Sequence, residues 1–353
     1  MSPVHLVAAP DKFRGTASAA EIAAAAARGA KRAGWTCARV PLADGGDGLL
    51  AAVGGEARYA TVTGPLGEPV RAEWRLLADP ERAGEQTAVI EMARASGLLL
   101  AGGRRHNRPV EATTFGTGEL VLAALWAGAS RIVVGCGGSA ATDGGEGALA
   151  AIGAPSALDG VELLVASDVS IGFVDAAVLF AAQKGASTAQ VAFLTARLVE
   201  LADRYRADFG VEVAELAGSG AAGGLAGGLA ALGAEIVSGF DLVADLVGLD
   251  QELERATLVM TGEGHLDQQS FAGKVVGGVV GRVRGRLPVI CIVGGVAPGF
   301  ATGASSPSGA ELEIVSLSAR FGQQRARREV AALVEDVVAE RLHQEPSTVT
   351  ATT

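Results

Sequence analysis

Five segments of the sequence combine glycine with carboxylate, lysine or serine side chains at the end of an apolar run. They are APDKFRGTASA (9–19), ADGGDG (43–48), GGSAATDGG (137–145), GSGAAGGLAGG (218–228) and TGEGHLDQQSFAGK (261–274). Glycine lets backbone N–H groups face a phosphate, and the N-terminus of a following helix adds positive charge. Carboxylates beside such loops can hold Mg²⁺, which prefers oxygen ligands. Together the segments predict a phosphate-binding site.

The charged side chains near these loops are of both signs. The acidic ones are Asp11, Asp44, Asp47, Asp143, Glu263 and Asp267, and the cationic ones are Lys12, Arg14, Lys184 and Lys274. Phosphoryl transfer needs this mixture, because cations and a metal neutralise the phosphate oxygens while a carboxylate accepts the proton of the acceptor hydroxyl. We expect the loops to meet at one ligand site.

Several well-known catalytic motifs are absent from the sequence. GxxxxGK[ST] and GxSxG do not occur, and the protein-kinase set of HRD followed by DFG is missing because the chain has no HRD. These absences argue against a P-loop protein, an α/β-hydrolase and a protein kinase. The first predicted strand is followed by Pro10-Asp11-Lys12 and not by GxGxxG, which argues against a Rossmann dehydrogenase. Gly218-Ser219-Gly220 is interpreted as a flexible turn, since no histidine accompanies the serine in a nearby motif.

The composition narrows the class of protein further. The chain has 353 residues, 49% of them hydrophobic, which favours two domains with buried cores. A net charge of −10 argues against nucleic acid or an anionic membrane as a partner. Cys37, Cys136 and Cys291 show no disulfide or zinc spacing. No signal peptide or membrane span is predicted, so we expect a cytoplasmic protein.

The elements that must position these residues begin with a βαβ pattern. Residues 4–9 form an apolar run that predicts a strand, residues 17–34 predict a helix, and residues 36–42 predict a second strand. Ser18 and Glu21 have the spacing of a capping box at the start of the helix. This opening favours a parallel sheet covered by helices.

The rest of the chain shows two further patterns of predicted secondary structure. In the middle, strands are expected at 57–63, 70–77, 87–92, 131–136 and 161–166, and helices at 119–128, 188–209 and 221–232. The end of the chain returns to a βα rhythm, with strands at 256–260, 288–293 and 311–317 and helices at 274–284 and 324–342.

From these patterns of strands and helices we predict an α/β protein of two domains. The first is a Rossmann-like domain with a parallel sheet, formed by both chain ends (1–64 plus 240–342). The second is an α/β domain inserted between them (65–239), and its first strands are expected to be antiparallel. Residues 343–353 are polar and are predicted to be a disordered tail.

At these loops the sequence resembles the bacterial glycerate kinase family, the glycerate 2-kinases of the GlxK and GarK type. The matching stretches follow the family's order from residue 4 to about 342. They are APDKFRGTASA, PLADGGDG, TGPLGEPV, AVIEMARASGL, TTFGTGEL, GCGGSAATDGG, AQKG, GAAGGLAGGLAALGA and TGEGHLDQQSFAGK. The resemblance implies a two-domain enzyme that transfers the γ-phosphoryl group of ATP to glycerate with Mg²⁺, usually forming 2-phosphoglycerate. Its partners would be glycerate and nucleotide, with a homodimer left open.

The resemblance also implies roles for individual residues. Catalytic roles fall to Asp11, Lys12, Asp44 and Asp143, of which Asp44 and Asp143 are also the expected Mg²⁺ ligands. The expected nucleotide contacts are Gly137, Gly138, Ser139, Glu263, Asp267 and Lys274. The expected acceptor contacts are Arg14, Asp47, Glu91 and Ser96. Asp44 and Asp47 share the roles of general base and metal ligand, and the division between them is left open.

The sequence departs from the family pattern in two places. Arg14 stands where the family usually has lysine, and the segments 152–161 and 167–180 are shortened, with Ser167-Asp168-Val169 in place of Cys-Asp-Val. A trimmed middle could alter the acceptor pocket. Two alternatives therefore stay open, a kinase of another small hydroxy acid and a catalytically inactive relative that binds the ligands.

Overall fold

The computed structural model describes residues 4–78, 84–271, 273–299 and 311–344. Of the predicted tail, His343 and Gln344 belong to the last helix, and residues 345–353 lie outside the described residues. The chain divides into two compact units. Unit 1 consists of Met1–Ala43, Ala51–Val53 and Val243–Thr353, and unit 2 of Asp44–Leu50 and Gly54–Leu242, as far as these ranges are described.

The strands of the described residues are numbered in chain order. They are β1 (His5–Ala8), β2 (Thr36–Arg39), β3 (Glu56–Thr63), β4 (Pro69–Ala78), β5 (Gln86–Glu91), β6 (Arg131–Gly135), β7 (Glu162–Ala166), β8 (Glu235–Val237), β9 (Leu258–Leu266), β10 (Val289–Val296) and β11 (Leu312–Ser316).

The α-helices are numbered in the same way. They are α1 (Ala19–Arg32), α2 (Leu49–Val53), α3 (Ala93–Ser96), α4 (Phe115–Trp126), α5 (Glu146–Ile152), α6 (Asp175–Phe180), α7 (Thr188–Phe209), α8 (Leu225–Ala231), α9 (Gly239–Leu246), α10 (Leu249–Leu253), α11 (Val275–Val283), α12 (Leu317–Phe321), α13 (Gln323–Arg328) and α14 (Val330–Gln344). None of these described helices is long and apolar enough to cross a membrane.

Unit 1 is built on a parallel sheet formed from both ends of the chain. The strand order is β11-β10-β9-β1-β2, and every pairing is parallel. One face of the sheet packs on α1 and α14. Gly29 in α1 lets these two helices approach each other, since a Cβ there would lie 2.4 Å from the carbonyl oxygen of Glu335 in α14. The predicted Rossmann-like domain with a parallel sheet is confirmed.

Unit 2 contains a mixed sheet in the order β3-β4-β5-β6-β7-β8. The pairs β3–β4 and β4–β5 are antiparallel, and the pairs from β5 to β8 are parallel. This confirms the predicted inserted α/β domain with antiparallel first strands. The predicted boundary at residue 64 placed β3 in the first domain, but β3 pairs along its whole length with β4 and so belongs to unit 2.

Local signals predicted some helix boundaries well. Ser18 accepts a hydrogen bond from the backbone N–H of Glu21, and the Glu21 side chain accepts from the backbone N–H of Ser18, so the predicted capping box of α1 is present. The helix α7 has the predicted bounds of 188–209 and begins with a second capping box, formed by Ser187 and Gln190.

Elsewhere, tertiary contacts overrode the local signal. The TGEGHL part of the predicted loop 261–274 is the second half of β9, because it pairs with β10 from Thr261 to Leu266. Gly262 lets the strands approach, since a Cβ there would lie 1.8 Å from the carbonyl oxygen of Ile292. The helix predicted for 119–128 begins at Phe115 and includes two glycines that pack against neighbouring backbone. The helix predicted for 324–342 is two helices, separated at Glu329.

Candidate active site

The glycine-rich segment 44–50 lies against the carboxyl ends of two parallel strands of unit 2. A Cβ on Gly135, at the end of β6, would lie 2.4 Å from the carbonyl oxygen of Gly45. A Cβ on Gly137 would lie 3.0 Å from the Cα of Gly46, and one on Gly45 would lie 3.1 Å from the carbonyl carbon of Ala166, at the end of β7. Glycine is therefore required at this junction, and it brings the segment with Asp44 and Asp47 onto the sheet edge.

Glu91 fixes this segment from the end of β5. The residue is only 2% exposed, and its Oε1 accepts hydrogen bonds from the backbone N–H groups of Gly48 (2.9 Å) and Leu50 (3.1 Å). Its Oε2 accepts from Nε of Arg94 at 2.9 Å. Both carboxylate oxygens are thus engaged within the protein, so the contacts of Glu91 favour holding the segment over the predicted contact with the acceptor.

Asp168 is a second carboxylate at this edge, directly after β7. It accepts hydrogen bonds from the backbone N–H groups of Gly239 (2.8 Å) and Phe240 (3.2 Å) and from the hydroxyl of Ser238 (3.3 Å). The pKa of Asp168 is raised to about 6, chiefly by burial and also by the nearby Asp44 carboxylate, while these hydrogen bonds act in the opposite direction. Asp44 and Asp168 are therefore neighbouring carboxylates, and the negative charge of one disfavours ionisation of the other.

The loop after β6 is bound along its length to the segment that follows β5. The backbone N–H of Leu98 donates to the carbonyl of Gly138 (2.8 Å), and the N–H of Ala140 donates to the carbonyl of Ser96 (3.0 Å). The buried hydroxyl of Ser96 pairs with that of Thr117 at 2.9 Å, so it is engaged inside the unit. The hydroxyl of Ser139 donates to the carbonyl of Ala141 at 3.0 Å.

Asp143 joins this loop to the start of two helices. It is 2% exposed, and its Oδ2 accepts from the backbone N–H (2.8 Å) and the hydroxyl (2.9 Å) of Thr114, directly before α4. Oδ1 accepts from the N–H of Gly145 (3.2 Å), and Oδ2 also accepts from the N–H of Gly147 (3.3 Å) in α5. Such a set of donors is typical of a carboxylate that organises a loop.

A buried lysine supports the same loop from the other side. Lys184 is 4% exposed, and its Nζ donates to the carbonyl of Ala141 and to the hydroxyl of Thr142. Its own carbonyl accepts from the side-chain amide of Asn107 at 2.8 Å. Burial lowers the pKa of Lys184 to about 8, although the nearby Asp143 carboxylate acts in the opposite direction.

Unit 1 has its own group of charged residues at the carboxyl ends of β1 and β9. The backbone N–H of Asp11 donates to the carbonyl of Gly262 (2.8 Å), and Nζ of Lys12 lies 3.7 Å from Oδ1 of Asp11. The backbone of Arg14 lies over β9, since a Cβ on Gly264 would lie 3.1 Å from the nitrogen of Arg14. The loop after β1 is therefore packed onto the glycines of β9.

Glu263 is the least satisfied carboxylate of this group. Its Oε1 is buried and has no hydrogen-bond partner among the described residues. The pKa of Glu263 is raised to about 7, chiefly by burial and also by the charges of Asp11 and Asp267, while Ser270 and Lys274 act in the opposite direction. Asp267, by contrast, accepts from the backbone N–H of Ser270 at 3.1 Å and so caps the turn that follows β9.

The predicted site residues divide between the two units. Asp11, Lys12, Arg14, Glu263, Asp267 and Lys274 belong to unit 1, and Asp44, Asp47, Glu91, Ser96, Gly137, Gly138, Ser139 and Asp143 belong to unit 2. Within the described residues, no group of three or more His, Cys, Asp or Glu side chains could hold a metal ion.

Sequence reasoning did not select Arg94 and Asp168, two charged residues that the structure places at the unit 2 edge. Their position directly after a strand was the available signal, and both lie in stretches already compared with the glycerate kinases.

Comparisons with known proteins agree with this architecture. The model of the glycerate kinase family matches residues 6–157 and 153–342. A glycerate 2-kinase of Escherichia coli K12 is 38% identical over 330 residues, covering 82% of this chain and 85% of its own length. A glycerate kinase of Bacillus subtilis 168 is 37% identical over 332 residues, covering 83% and 85%.

A solved structure extends the similarity to three dimensions. A Salmonella typhimurium LT2 protein, described provisionally as glycerate kinase 2, superposes with a TM-score of 0.79 at 32% identity, covering 96% of this chain and 98% of that one. The family match spans nearly all of the described chain, including the loops of both units. The chain is therefore a kinase that belongs to the glycerate kinase family.

Proposed function

We propose that this kinase transfers the γ-phosphoryl group of ATP to glycerate and forms 2-phosphoglycerate. The observation that carries the proposal is the family match over residues 6–157 and 153–342, which includes every loop of the candidate site. The name glycerate 2-kinase of the Escherichia coli relative, 38% identical, supports the 2-position as the site of phosphorylation.

Asp44 is the carboxylate that we assign as general base. It lies on the segment that Glu91 fixes through the N–H groups of Gly48 and Leu50, so its backbone is held at the sheet edge. As the acceptor hydroxyl attacks the phosphorus atom, its proton passes to a carboxylate oxygen of Asp44. Asp47, on the same segment and exposed, is the alternative base.

The oxygen donors at this edge fit Mg²⁺. Asp44 and Asp168 are neighbouring carboxylates, and the charge of Asp44 contributes to the raised pKa of Asp168. A divalent cation between them would offset this repulsion. Mg²⁺ is commonly held by one or two carboxylates together with substrate phosphates, so a cluster of three protein ligands is not required. When bound there, Mg²⁺ would neutralise charge on the phosphate oxygens.

Asp143 remains a predicted catalytic residue and metal ligand, but its contacts favour a different role. Its two oxygens accept hydrogen bonds from Thr114, Gly145 and Gly147. We propose that Asp143 positions the loop after β6, and that Gly137, Gly138 and Ser139 in this loop contact the nucleotide. Gly138 has a positive φ of 67°, which suits a backbone that faces phosphate.

Unit 1 supplies the second predicted set of nucleotide contacts, Glu263, Asp267 and Lys274. Lys274 directly precedes α11, and a lysine at a helix N-terminus is typical of phosphate binding. Lys12 and Asp11, predicted as catalytic residues, belong to the same unit, and we assign Lys12 as a cation that holds phosphate, with Asp11 as its carboxylate partner.

The test is the reaction with D-glycerate and Mg-ATP. We expect ADP release that depends on glycerate, with one phosphoglycerate formed per ADP and a ³¹P NMR spectrum of the 2-phospho isomer. The 3-phospho isomer would correct only the position. ADP release no faster than without glycerate would refute glycerate as acceptor. Thermal stabilisation by ATP without any ADP release would instead favour the inactive relative.

One observation favours testing other acceptors as well. The two segments of the family match overlap at residues 153–157, within the shortened segment that the sequence analysis identified. A panel of L-glycerate, glycolate, lactate and tartronate, each compared with D-glycerate by kcat/KM, would reveal a different hydroxy acid as the preferred acceptor.

A further inference from the structure

Arg94 presents a guanidinium at the carboxyl edge of the unit 2 sheet. It lies in α3, three residues after Glu91, and its side chain is 47% exposed. Its Nε donates to Oε2 of Glu91 at 2.9 Å, while its terminal nitrogens have no hydrogen-bond partner among the described residues. Two N–H-bearing nitrogens of a planar, permanently charged group are therefore available to a ligand.

The guanidinium is held in place by a buried anchor. The Glu91 side chain is 3% exposed, and its other oxygen is bonded to the backbone of Gly48 and Leu50. Arg94 is thus tied, through Glu91, to the segment that carries Asp44 and Asp47. Because Nε is already engaged, little freedom remains to be lost when the terminal nitrogens bind a second carboxylate.

The backbone around Arg94 is also fixed against the glycine-rich loop after β6. The N–H of Leu98 donates to the carbonyl of Gly138, and a Cβ on Gly138 would lie 3.4 Å from the Cβ of Ala93. Contacts within unit 2 therefore place Arg94 beside both the segment 44–50 and the loop after β6.

The charge of this edge shows why such a cation is needed. Asp44, Asp47, Glu91 and Asp168 all contribute carboxylates there, and they would repel an anionic acceptor. Partial burial acts to lower the pKa of Arg94, but Glu91 beside it, with smaller effects from Glu73 and Asp47, raises the pKa above its usual value.

We propose that Arg94 binds the carboxylate of the acceptor through its two terminal nitrogens. The inference rests on the proposed function and adds the residue that selects a hydroxy acid over a neutral alcohol. A pair of N–H···O bonds would fix both carboxylate oxygens. The hydroxyl on the adjacent carbon would then face the segment of Asp44 and Asp47. Arg14, the acceptor contact that the sequence analysis predicted, lies in unit 1 and is the competing candidate.

The test compares steady-state kinetics of Arg94→Gln, Arg94→Lys and the wild-type protein on D-glycerate, ATP and glycerol, the neutral alcohol that lacks the carboxylate. For Arg94→Gln we expect the KM for glycerate to rise about 10- to 100-fold, as for loss of a charged hydrogen-bonded pair, and the KM for ATP to change less than about 2-fold. The preference for glycerate over glycerol should fall by a similar factor, and lysine should restore part of it.

Arg206→Gln is the matched control. Arg206 is also exposed, at 55%, and pairs with an acid three residues earlier, Asp203 at 2.7 Å, but on the surface of α7. Its kinetics should equal those of the wild type. Thermal melting of each variant shows whether Glu91, left without its partner, has loosened the segment 44–50.

Two results would overturn the inference while the proposed function survives. In the first, Arg94→Gln leaves the KM for glycerate within about 2-fold and Arg14→Gln raises it. In the second, Arg94→Gln lowers kcat and weakens both substrates alike, together with a lower melting temperature, which is the signature of a purely structural pair. A wild-type protein that does not turn over glycerate refutes the proposed function instead. The same comparison is then made with the preferred hydroxy acid, and the absence of any acidic acceptor also refutes the role of Arg94.

Discussion

The two charged groups of the molecule occupy equivalent positions in their sheets and differ in how their carboxylates are satisfied. In unit 2, Glu91, Asp143 and Asp168 each accept backbone N–H groups from neighbouring loops. In unit 1, Glu263 has a buried oxygen that accepts no hydrogen bond within the part of the chain that the structure describes, and its pKa is raised to about 7. A glutamate on a strand is thus bound to neighbouring backbone in unit 2, while in unit 1 it keeps a buried oxygen and a raised pKa.

The number of local donors explains this difference. Glycine-rich turns in unit 2 turn their N–H groups inward, so buried carboxylates there gain partners that compensate for lost water. Glu263 lies within β9, where it pairs with Val293 of β10, and among the described residues no backbone N–H group donates to its buried Oε1. The contrast between Glu91 and Glu263 therefore lies in the supply of backbone N–H donors to each carboxylate.

The largest expected effect concerns Asp44, on the glycine-rich segment 44–50 of unit 2. Asp44→Asn should lower kcat by about 10²- to 10⁴-fold, because the amide cannot accept the hydroxyl proton, while the melting temperature stays within a few degrees. Single-turnover and steady-state assays with Mg-ATP and glycerate measure the loss. If Asp44→Asn retains full turnover and Asp47→Asn does not, the base is Asp47.

Asp143→Ala is expected to damage stability more than any other change in unit 2. Removing the carboxylate leaves the N–H groups of Thr114, Gly145 and Gly147 without their acceptor, in a site that is 2% exposed. We expect a loss of about 4 kcal/mol in the free energy of unfolding, measured by urea denaturation. Wild-type stability combined with lost turnover would show that Asp143 acts chemically, as the sequence analysis predicted.

Sequence reasoning worked best where the signal was local. The capping boxes at Ser18 and Ser187 depend on residues three apart, and both helices follow them. The sequence predicted every strand of the two sheets except the three-residue β8, and the continuous apolar run at residues 4–9 identified the buried parallel strand β1. The family of the chain was likewise identified from its ordered motifs, a prediction that the comparisons confirm.

Non-local contacts defeated the same reasoning. Glycines in α4 and β9 suggested loops, yet Gly116, Gly118 and Gly262 are there because neighbouring backbone lies where a Cβ would be. The environments of Arg94 and Asp168 depend on partners that are 3 and about 70 residues away in sequence, and no spacing rule predicts the latter. Whether a carboxylate binds ligand or holds a loop depends on such partners.

Lys184→Met tests how the buried lysine that supports the loop after β6 contributes to stability as pH changes. The folded-state pKa of about 8 lies below the usual value near 10.5, so the unfolded chain binds more protons between these two values. The contribution of Lys184 to stability therefore increases as pH rises from about 8 to about 10.5, on the order of 3 kcal/mol in total.

The wild-type protein should accordingly lose less stability in alkaline solution than Lys184→Met does. The difference between their unfolding free energies, measured from pH 7 to 10.5, isolates this group from the other residues that titrate there. Parallel curves would mean that Lys184 is solvated in the folded state, and the tie between its Nζ and Ala141 would then contribute nothing specific.

Glu263→Gln gives the smallest expected effect and tests whether the raised pKa of Glu263 in unit 1 lowers the stability of the protein near neutral pH. The folded-state pKa of about 7 lies above the usual value, so the folded protein binds more protons between about 4.5 and 7 and wild-type stability falls as pH rises through this window. Glutamine remains neutral, so the variant should be more stable than the wild type by about 1 kcal/mol at pH 8, discounted for partial exposure, and nearly equal at pH 4.5. Asp267→Asn, on a carboxylate that caps the turn after β9, should show no such pH-dependent gain. A gain of equal size for both variants would mean that general negative charge, and not the unpartnered oxygen of Glu263, separates unit 1 from unit 2.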